Sequence, residues 1–422
     1  MPLSAPRETA LKVLREIDEN SAYLNIALEN ALAQANMDSR DNALCTGIVM
    51  GTVKHRLYID NILANISAVK LKKLSVWIHN ILRMGIYSIK FMDKIPVSAT
   101  VNECVKLARR YGHASSAGYV NALLRRAADS GDFLEKLRGS ELISVKYSMP
   151  LWLVEKWQRE QPDWEELLAS MNGEPQTYCR LNCDDVPEGF EKTDITPYTL
   201  IYTGGGGVTH SEAYKNGLVT VQDPASQIAV LALKIQPGNK VLDLCAAPGG
   251  KSVFAAFLGG EVTACDLYEH KIELIKQNAA RLKVKLNAIV NDACEPNPGF
   301  EGVFDRVLVD APCSGLGILR RKPDIKWTKD ENDSGELAKI QQTILTNAAR
   351  YVRPGGRLLY STCTVSKAEN EGIVKWFLKK HPDFAPAALG AGPEPEEPQL
   401  QLRPDKHGTD GFFMAAFERK MT

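Results

Sequence analysis

The chain has 422 residues, 44% hydrophobic and 24% charged, with 51 basic side chains against 51 acidic ones. That length allows roughly three domains, the composition is that of an ordinary globular protein, and no apolar run reaches the ~18 residues of a membrane helix. The charge is uneven: residues 1–130 hold 17 Lys and Arg against 11 Asp and Glu, a local net of +6, which on a first domain could draw a polyanion or mean nothing.

The N-terminal stretch MPLSAPRETALKVLREIDEN carries acidic residues and no apolar core, unlike a signal or transit peptide. Nine scattered cysteines, an odd number, predict reduced thiols and a cytoplasmic location. Cys179 and Cys183 would be half a zinc site, but no second close pair completes it, so no metal is expected. Residues 6–130 show helical periodicity in Thr9–Asn20, Ala22–Leu32, Ala43–Val53, Arg56–Ile66, Val76–Ile89 and Thr100–Arg109, with Ser98 as an expected N-cap. A compact helical bundle follows. It ends in Tyr119–Arg126, where Arg125 and Arg126 either suit a helix end or contact phosphate. After a polar connector come a helix beyond Pro150, two strands near 177–183 and 198–202, and a glycine loop at 204–207. Residues 131–215 thus read as a connector and small α+β module, expected to help hold RNA.

From residue 219 strands and helices alternate, which predicts an α/β, Rossmann-like doubly wound parallel sheet. Its expected strands are 240–245, 261–266, 287–290, 306–309, 356–362 and 412–417. Ligands in such sheets sit at the carboxyl ends of strands. The first strand runs into Cys245-Ala246-Ala247-Pro248-Gly249-Gly250-Lys251 and a helix, a turn where glycines admit a ligand and helix amides favour an anionic group. Asp266 ends the second strand, placed to take ribose hydroxyls, and Asp292 ends the third, placed to accept from an adenine amine. The spacing is not that of a dinucleotide fingerprint, so S-adenosylmethionine fits better than NAD. Asp310 and Cys313 follow the fourth strand, and Cys363 follows the fifth, so both thiols should face one crevice; a disulfide is the competing reading.

Two thiols and a carboxylate beside a methyl donor suit methylation at C5 of a pyrimidine. A thiolate adds at C6 and makes C5 nucleophilic, an acid (Asp310, if protonated) relieves charge at N3, and the second thiol assists elimination. Exocyclic-amine methylation would favour Asn/Asp-Pro-Pro-aromatic where this chain has Asp310-Ala311-Pro312-Cys313. The segment Gly317–Trp327, with Arg320, Arg321, Lys322, Lys326 and Trp327, reads as a basic, aromatic rim for RNA or as a solvated loop.

D-L-C-A-A-P-G-G-K, D-A-P-C-S-G, R-R-K-P-D-I-K-W and S-T-C-T resemble the RNA cytosine-C5 methyltransferases of the Sun/Nop2 group, and the helical first domain resembles the NusB type of RNA-binding domain. The resemblance implies an all-α NusB-like bundle (1–130), the small module (131–215) and a methyltransferase domain (216–422). It implies S-adenosylmethionine bound by 245–251, Asp266, Asp292 and Asp310, with Cys363 as nucleophile and Cys313 assisting product release. The substrate implied is a cytosine of 16S ribosomal RNA, contacted by Arg125, Arg126 and residues 320–327, with a monomeric enzyme and no membrane partner. Against it stand an NAD-linked dehydrogenase, which leaves two strand-end thiols without a role, and a non-catalytic NusB-like assembly or antitermination factor, in which the filled catalytic positions would be idle.

Overall fold

The computed structural model describes residues 4–20 and 22–421, and the chain opens as a run of helices: α1 (Ala5–Asn20), α2 (Leu24–Ala35), α3 (Ser39–Lys54), α4 (Arg56–Ile66), α5 (Val76–Phe91), α6 (Val97–Tyr111) and α7 (Ser116–Asp129). Each buries one stripe. Leu11 and Leu14 of α1, Ile48 and Val49 of α3, Ile59 and Leu63 of α4, Ile81 of α5, Leu107 of α6 and Leu124 of α7 share a core, the period-3.6 pattern of amphipathic helices. Asp38 caps α3 by accepting from the Asp41 N–H at 2.8 Å, and Ser75 caps α5. The expected cap at Ser98 is displaced: α6 starts at Val97 because the Pro96 carbonyl already accepts from Ala99 and Thr100, and proline supplies helix-ready φ without an orphan N–H. Likewise α2 begins at Leu24 rather than 22, where the Leu24 N–H donates to Asp324 Oδ2 at 3.1 Å.

The chain continues through α8 (Gly139–Lys146), α9 (Leu151–Glu160) and α10 (Trp164–Met171). Contacts divide it into two units, Met1–Asn172 with Arg321–Glu331, and Gly173–Arg320 with Asn332–Thr422. The expected module at 131–215 is therefore shared: α8, α9 and α10 join the helical unit, and its strands and last short helix join the other. Those strands, β1 (Tyr178–Leu181), β2 (Phe190–Lys192), β3 (Thr199–Tyr202) and β4 (Val219–Val221), form an antiparallel sheet ordered β2-β3-β1-β4, with the short α11 (Glu212–Lys215) before β4.

After α12 (Pro224–Ala232) comes the main sheet: β5 (Lys240–Asp243), α13 (Gly250–Phe257), β6 (Glu261–Asp266), α14 (Glu269–Arg281), β7 (Asn287–Val290), β8 (Phe304–Asp310), α15 (Ile325–Thr328), α16 (Asp333–Tyr351), β9 (Val352–Thr362), α17 (Glu371–Lys380), β10 (Phe384–Pro386), β11 (Gln399–Leu402) and β12 (Phe412–Arg419). Its order is β10-β12-β9-β8-β5-β6-β7, with β11 also on β12. The run β9-β8-β5-β6-β7 is parallel, and Val307, Leu308 and Val309 are buried, as strands covered on both faces must be. The last strand is antiparallel to β9, not parallel as expected; the chain between β9 and β12 returns through β10 and β11, which pair antiparallel with β12, and antiparallel pairing needs no helical crossover.

Candidate active site

The glycine turn begins where β5 ends. Gly249 sits at φ +100° at the N-cap of α13, where a Cβ would come within 3.1 Å of the Ile275 Cα, so both the backbone angle and the packing call for glycine. Asp266, at the end of β6, accepts the Ala247 N–H at 3.0 Å and the Leu267 N–H at 2.8 Å, with the Lys271 ammonium 3.1 Å away. Asp292, one turn past β7, accepts the Cys294 N–H at 2.8 Å and is otherwise exposed. Cys245, Ala247, Asp266, Asp292 and Asp310 line one cavity of about 530 Å³, of the size that takes a cofactor.

Of the remaining glycine-turn residues expected to hold cofactor, Ala246, Pro248, Gly249 and Gly250 shape the turn without lining that cavity, and Lys251 is turned elsewhere. Residues that sequence reasoning missed complete the wall. Tyr268 lies two positions past Asp266, and Ile340 and Ile344 lie one turn apart on α16; the i, i+4 spacing was the one available signal for the latter pair. Burial holds the Cys245 thiol well above its ordinary value, with Asp243, Asp310 and Asp266 adding to it, so this cysteine is a wall and not a nucleophile.

The adjacent strands β8 and β9 bring the second half of the site together. Their parallel register sets Asp310 opposite Ser361. Ser361 Oγ–H donates to Asp310 Oδ1 at 2.8 Å, and Lys251 Nζ donates to Oδ2 at 2.6 Å. Both Asp310 oxygens are thus engaged, one by the Ser361 hydroxyl and one by the Lys251 ammonium. Burial works to strip Lys251 of its proton, but Asp310, Asp243 and Cys363 more than reverse this and raise it.

Three residues past Asp310, Cys313 Sγ lies 3.1 Å from Cys363 Sγ, and both thiols are free. The Cys363 N–H also points to Cys313 Sγ at 3.3 Å. The Cys313 thiol is pushed well above its ordinary value by the bond to Cys363, by burial and by the charge of Glu369. It therefore keeps its proton. At Gly317, whose N–H donates to the Cys363 carbonyl at 3.0 Å, a Cβ would lie 1.8 Å from the Gly411 carbonyl oxygen, so this joint between the two loops admits only glycine.

A family model described as 16S rRNA methyltransferase RsmB/F matches residues 230–418, and the NusB family model matches 4–129. Over its full length the chain is 34% identical to a protein of Bacillus subtilis (strain 168) named "Probable ribosomal RNA small subunit methyltransferase B", all of which is covered. The chain belongs to the ribosomal RNA small subunit methyltransferase B family. It is also 31% identical to the family's Vibrio cholerae member, with 94% of each chain covered. The solved structure described as "Crystal Structure of PH0851" superposes with a TM-score of 0.83 at 29% identity and 99% coverage of both chains. The fold of this methyltransferase B family member, a NusB-type helical domain and an α/β methyltransferase domain, is as the sequence predicts.

The expected RNA-contact residues separate in the structure. Arg125 and Arg126 are both exposed; Arg125 donates along its own helix to Asn121 at 3.3 Å, and Arg126 donates to the Ile66 carbonyl at 3.0 Å at the end of α4. Arg320 does not form a solvent rim: it is buried against Asp410 at 3.1 Å and donates to the Thr409 carbonyl at 2.6 Å. Lys326 is equally corrected. Its Nζ is buried on the Lys54 carbonyl at 2.9 Å, and burial with the Lys54 charge lowers its pKa well below the ordinary lysine value. Trp327 Nε1–H donates to the Val53 carbonyl at 2.9 Å, its ring against the helical core. Together they cap the last carbonyls of α3, which accept no intrahelical bond. Lys322 is exposed, and Arg321 is half-buried. Basic composition suggested phosphate contacts here, but proximity to helix-end carbonyls decided otherwise.

Proposed function

We propose that this protein methylates C5 of a cytosine in 16S ribosomal RNA through a covalent Cys363–cytosine adduct. The observation that carries the reading is the pair of free thiols 3.1 Å apart at the ends of neighbouring strands, beside a lysine–aspartate pair. The cofactor is S-adenosylmethionine, and the cavity lined by Asp266 and Asp292 fits it: acceptor carboxylates for hydroxyl and amine donors, apolar walls from Ile340 and Ile344, and room for a nucleoside. When bound there it supplies the electrophilic methyl group.

The attacking sulfur is assigned to Cys363, with the Cys313 S–H facing it across the 3.1 Å contact. The Cys363 sulfur forms a bond to C6 of the ring, the C5–C6 double bond opens, and Lys251 answers the negative charge that develops on the ring. C5, now nucleophilic, accepts the methyl group. Loss of the C5 proton to water then restores the double bond and expels the Cys363 sulfur, and the Cys313 S–H bonds to that departing thiolate. Asp310 keeps Lys251 protonated and in place throughout. The active form is proposed to be a monomer, with Arg125 and Lys322 as its exposed phosphate contacts.

Incubation of unmodified 16S ribosomal RNA with radiolabelled S-adenosylmethionine, followed by nucleoside analysis, is expected to give labelled 5-methylcytidine. Label on an exocyclic amine or a ribose oxygen overturns the reading.

A further inference from the structure

Glu369 is a carboxylate with 0% exposure, a placement that costs free energy unless every lone pair is used. It accepts the Ser314 N–H at 2.8 Å and the Ser314 Oγ–H at 2.6 Å, and Gln341 Nε2 donates to it at 3.2 Å. Ser314 is the residue after Cys313, and Gln341 also donates at 3.0 Å to the carbonyl of Pro312, the residue before it. Ser314 Oγ is in turn 2.8 Å from Thr364 Oγ1, and Thr364 is the residue after Cys363. The neighbouring Asn370 completes the arrangement, accepting the Thr362 hydroxyl at 2.6 Å and donating to the Thr364 carbonyl at 3.0 Å. Tyr360 donates its hydroxyl to the Glu369 carbonyl at 2.7 Å and so holds the clamp's backbone. Asn370 therefore straddles Cys363, and Gln341 with Glu369 straddles Cys313, although neither Glu369 nor Asn370 lines the cofactor cavity.

We propose that Glu369 is a positioning residue for the two-thiol pair: through Ser314 its buried carboxylate ties together the residues that follow Cys313 and Cys363 and holds the sulfurs in contact. This rests on the cytosine-C5 reading for its chemical purpose. A fixed negative charge next to a thiol disfavours the thiolate, and Glu369 lies on the Cys313 side of the pair through Ser314. The other titratable groups around the two sulfurs are Tyr360 on β9 and the Lys251–Asp310 pair, which faces Cys363. With Lys251 near one sulfur and Glu369 near the other, the two thiols are electrostatically unequal.

The test is limited alkylation of the full-length protein with iodoacetamide, with no RNA present, mapped by mass spectrometry. The wild type is expected to label at Cys363 ahead of Cys313, and E369Q to lose about tenfold of that preference, since a shift of one pKa unit changes the thiolate fraction tenfold. The kcat of E369Q falls while its affinity for S-adenosylmethionine, read by calorimetry, stays at the wild-type value. An unchanged labelling preference overturns the proposal, as does a loss of cofactor affinity parallel to the loss of kcat, which would make Glu369 a general packing residue. Ser314→Ala keeps the carboxylate and cuts both hydroxyl bonds, so it carries the test if E369Q does not fold: a lowered kcat with intact cofactor binding is expected, and a wild-type kcat overturns the tie. Labelling is read on the enzyme alone, whereas the C5 reading fails separately, on the identity of the methylated nucleoside.

Discussion

Cys313 and Cys363 stand 50 residues apart in the chain, yet their sulfurs lie 3.1 Å apart, with the Cys363 amide directed at Cys313. The two serine variants should behave oppositely. Cys313→Ser should leave a covalent protein–RNA adduct that survives a denaturing gel, because a serine hydroxyl is too weak an acid to help the Cys363 sulfur leave. Cys363→Ser should give neither adduct nor product. An adduct from the Cys363 variant would exchange the two roles.

Lys251 and Asp310 are joined at 2.6 Å, with side chains 14% and 27% exposed. Lys251→Met is expected to lower methyl transfer by roughly 10²–10³-fold, the range for removal of a preorganised charge-stabilising donor. Its affinity for S-adenosylmethionine should hold, since Lys251 is not on the cavity wall. Calorimetry beside single-turnover rates separates the two effects. Loss of cofactor affinity alone would return Lys251 to the cofactor site where its motif first placed it.

Acid stability of the helical unit should depend on Asp60. Burial works to raise its pKa, but bonds from Arg83 at 2.8 and 2.6 Å and from His79 at 3.0 Å overcome this and hold it at about 2, against an ordinary 3.8. A carboxyl depressed on folding contributes stability that is complete above its unfolded value and is lost as pH falls through the folded one. The window is therefore from 3.8 down to about 2, and the contribution is about 2 kcal/mol. Chemical unfolding of the wild type and Asp60→Asn, followed by helical circular dichroism, should show a difference near that size at pH 6 that narrows toward pH 2.

The two arginines once grouped as RNA contacts should part company. Arg320→Ala removes a buried guanidinium from the Asp410 carboxylate and the Thr409 carbonyl, a loss that destabilises a buried polar network, so it should lower the melting temperature. Arg125→Ala, at an exposed site, should leave melting unchanged, weaken RNA binding and reduce the salt slope by about one phosphate contact. A wild-type salt slope in the Arg125 variant would remove that residue from the interface.

Much of this architecture was legible before any coordinates. Periodicity located α1 to α7 to within a few residues, and the alternation after residue 240 located the parallel strands, because helical and strand repeats are local properties of the chain. The strand-end positions of Asp266, Asp310, Cys313 and Cys363 followed from the same alternation. The reversal at β12 was not legible, since strand direction depends on the path of the connection rather than on the strand's own residues. Nor was the placement of Glu369 and Asn370, which lie ahead of α17 with side chains bonded to the residues beside the cysteines.

Residue type and spacing by themselves determined that this chain has a helical first part, an α/β sheet with a glycine turn, and two cysteines at the ends of neighbouring strands. Only the tertiary structure decided what each charge faces. Lys251, Arg320 and Lys326 are all basic residues in loop or turn motifs, yet one meets a strand-end carboxylate, one a buried aspartate and one a helix-end carbonyl. A charge is defined by its partner and its solvent, and both are supplied by residues far away in sequence. The same holds for the two thiols, which only the fold brings within 3.1 Å of each other from positions 50 residues apart.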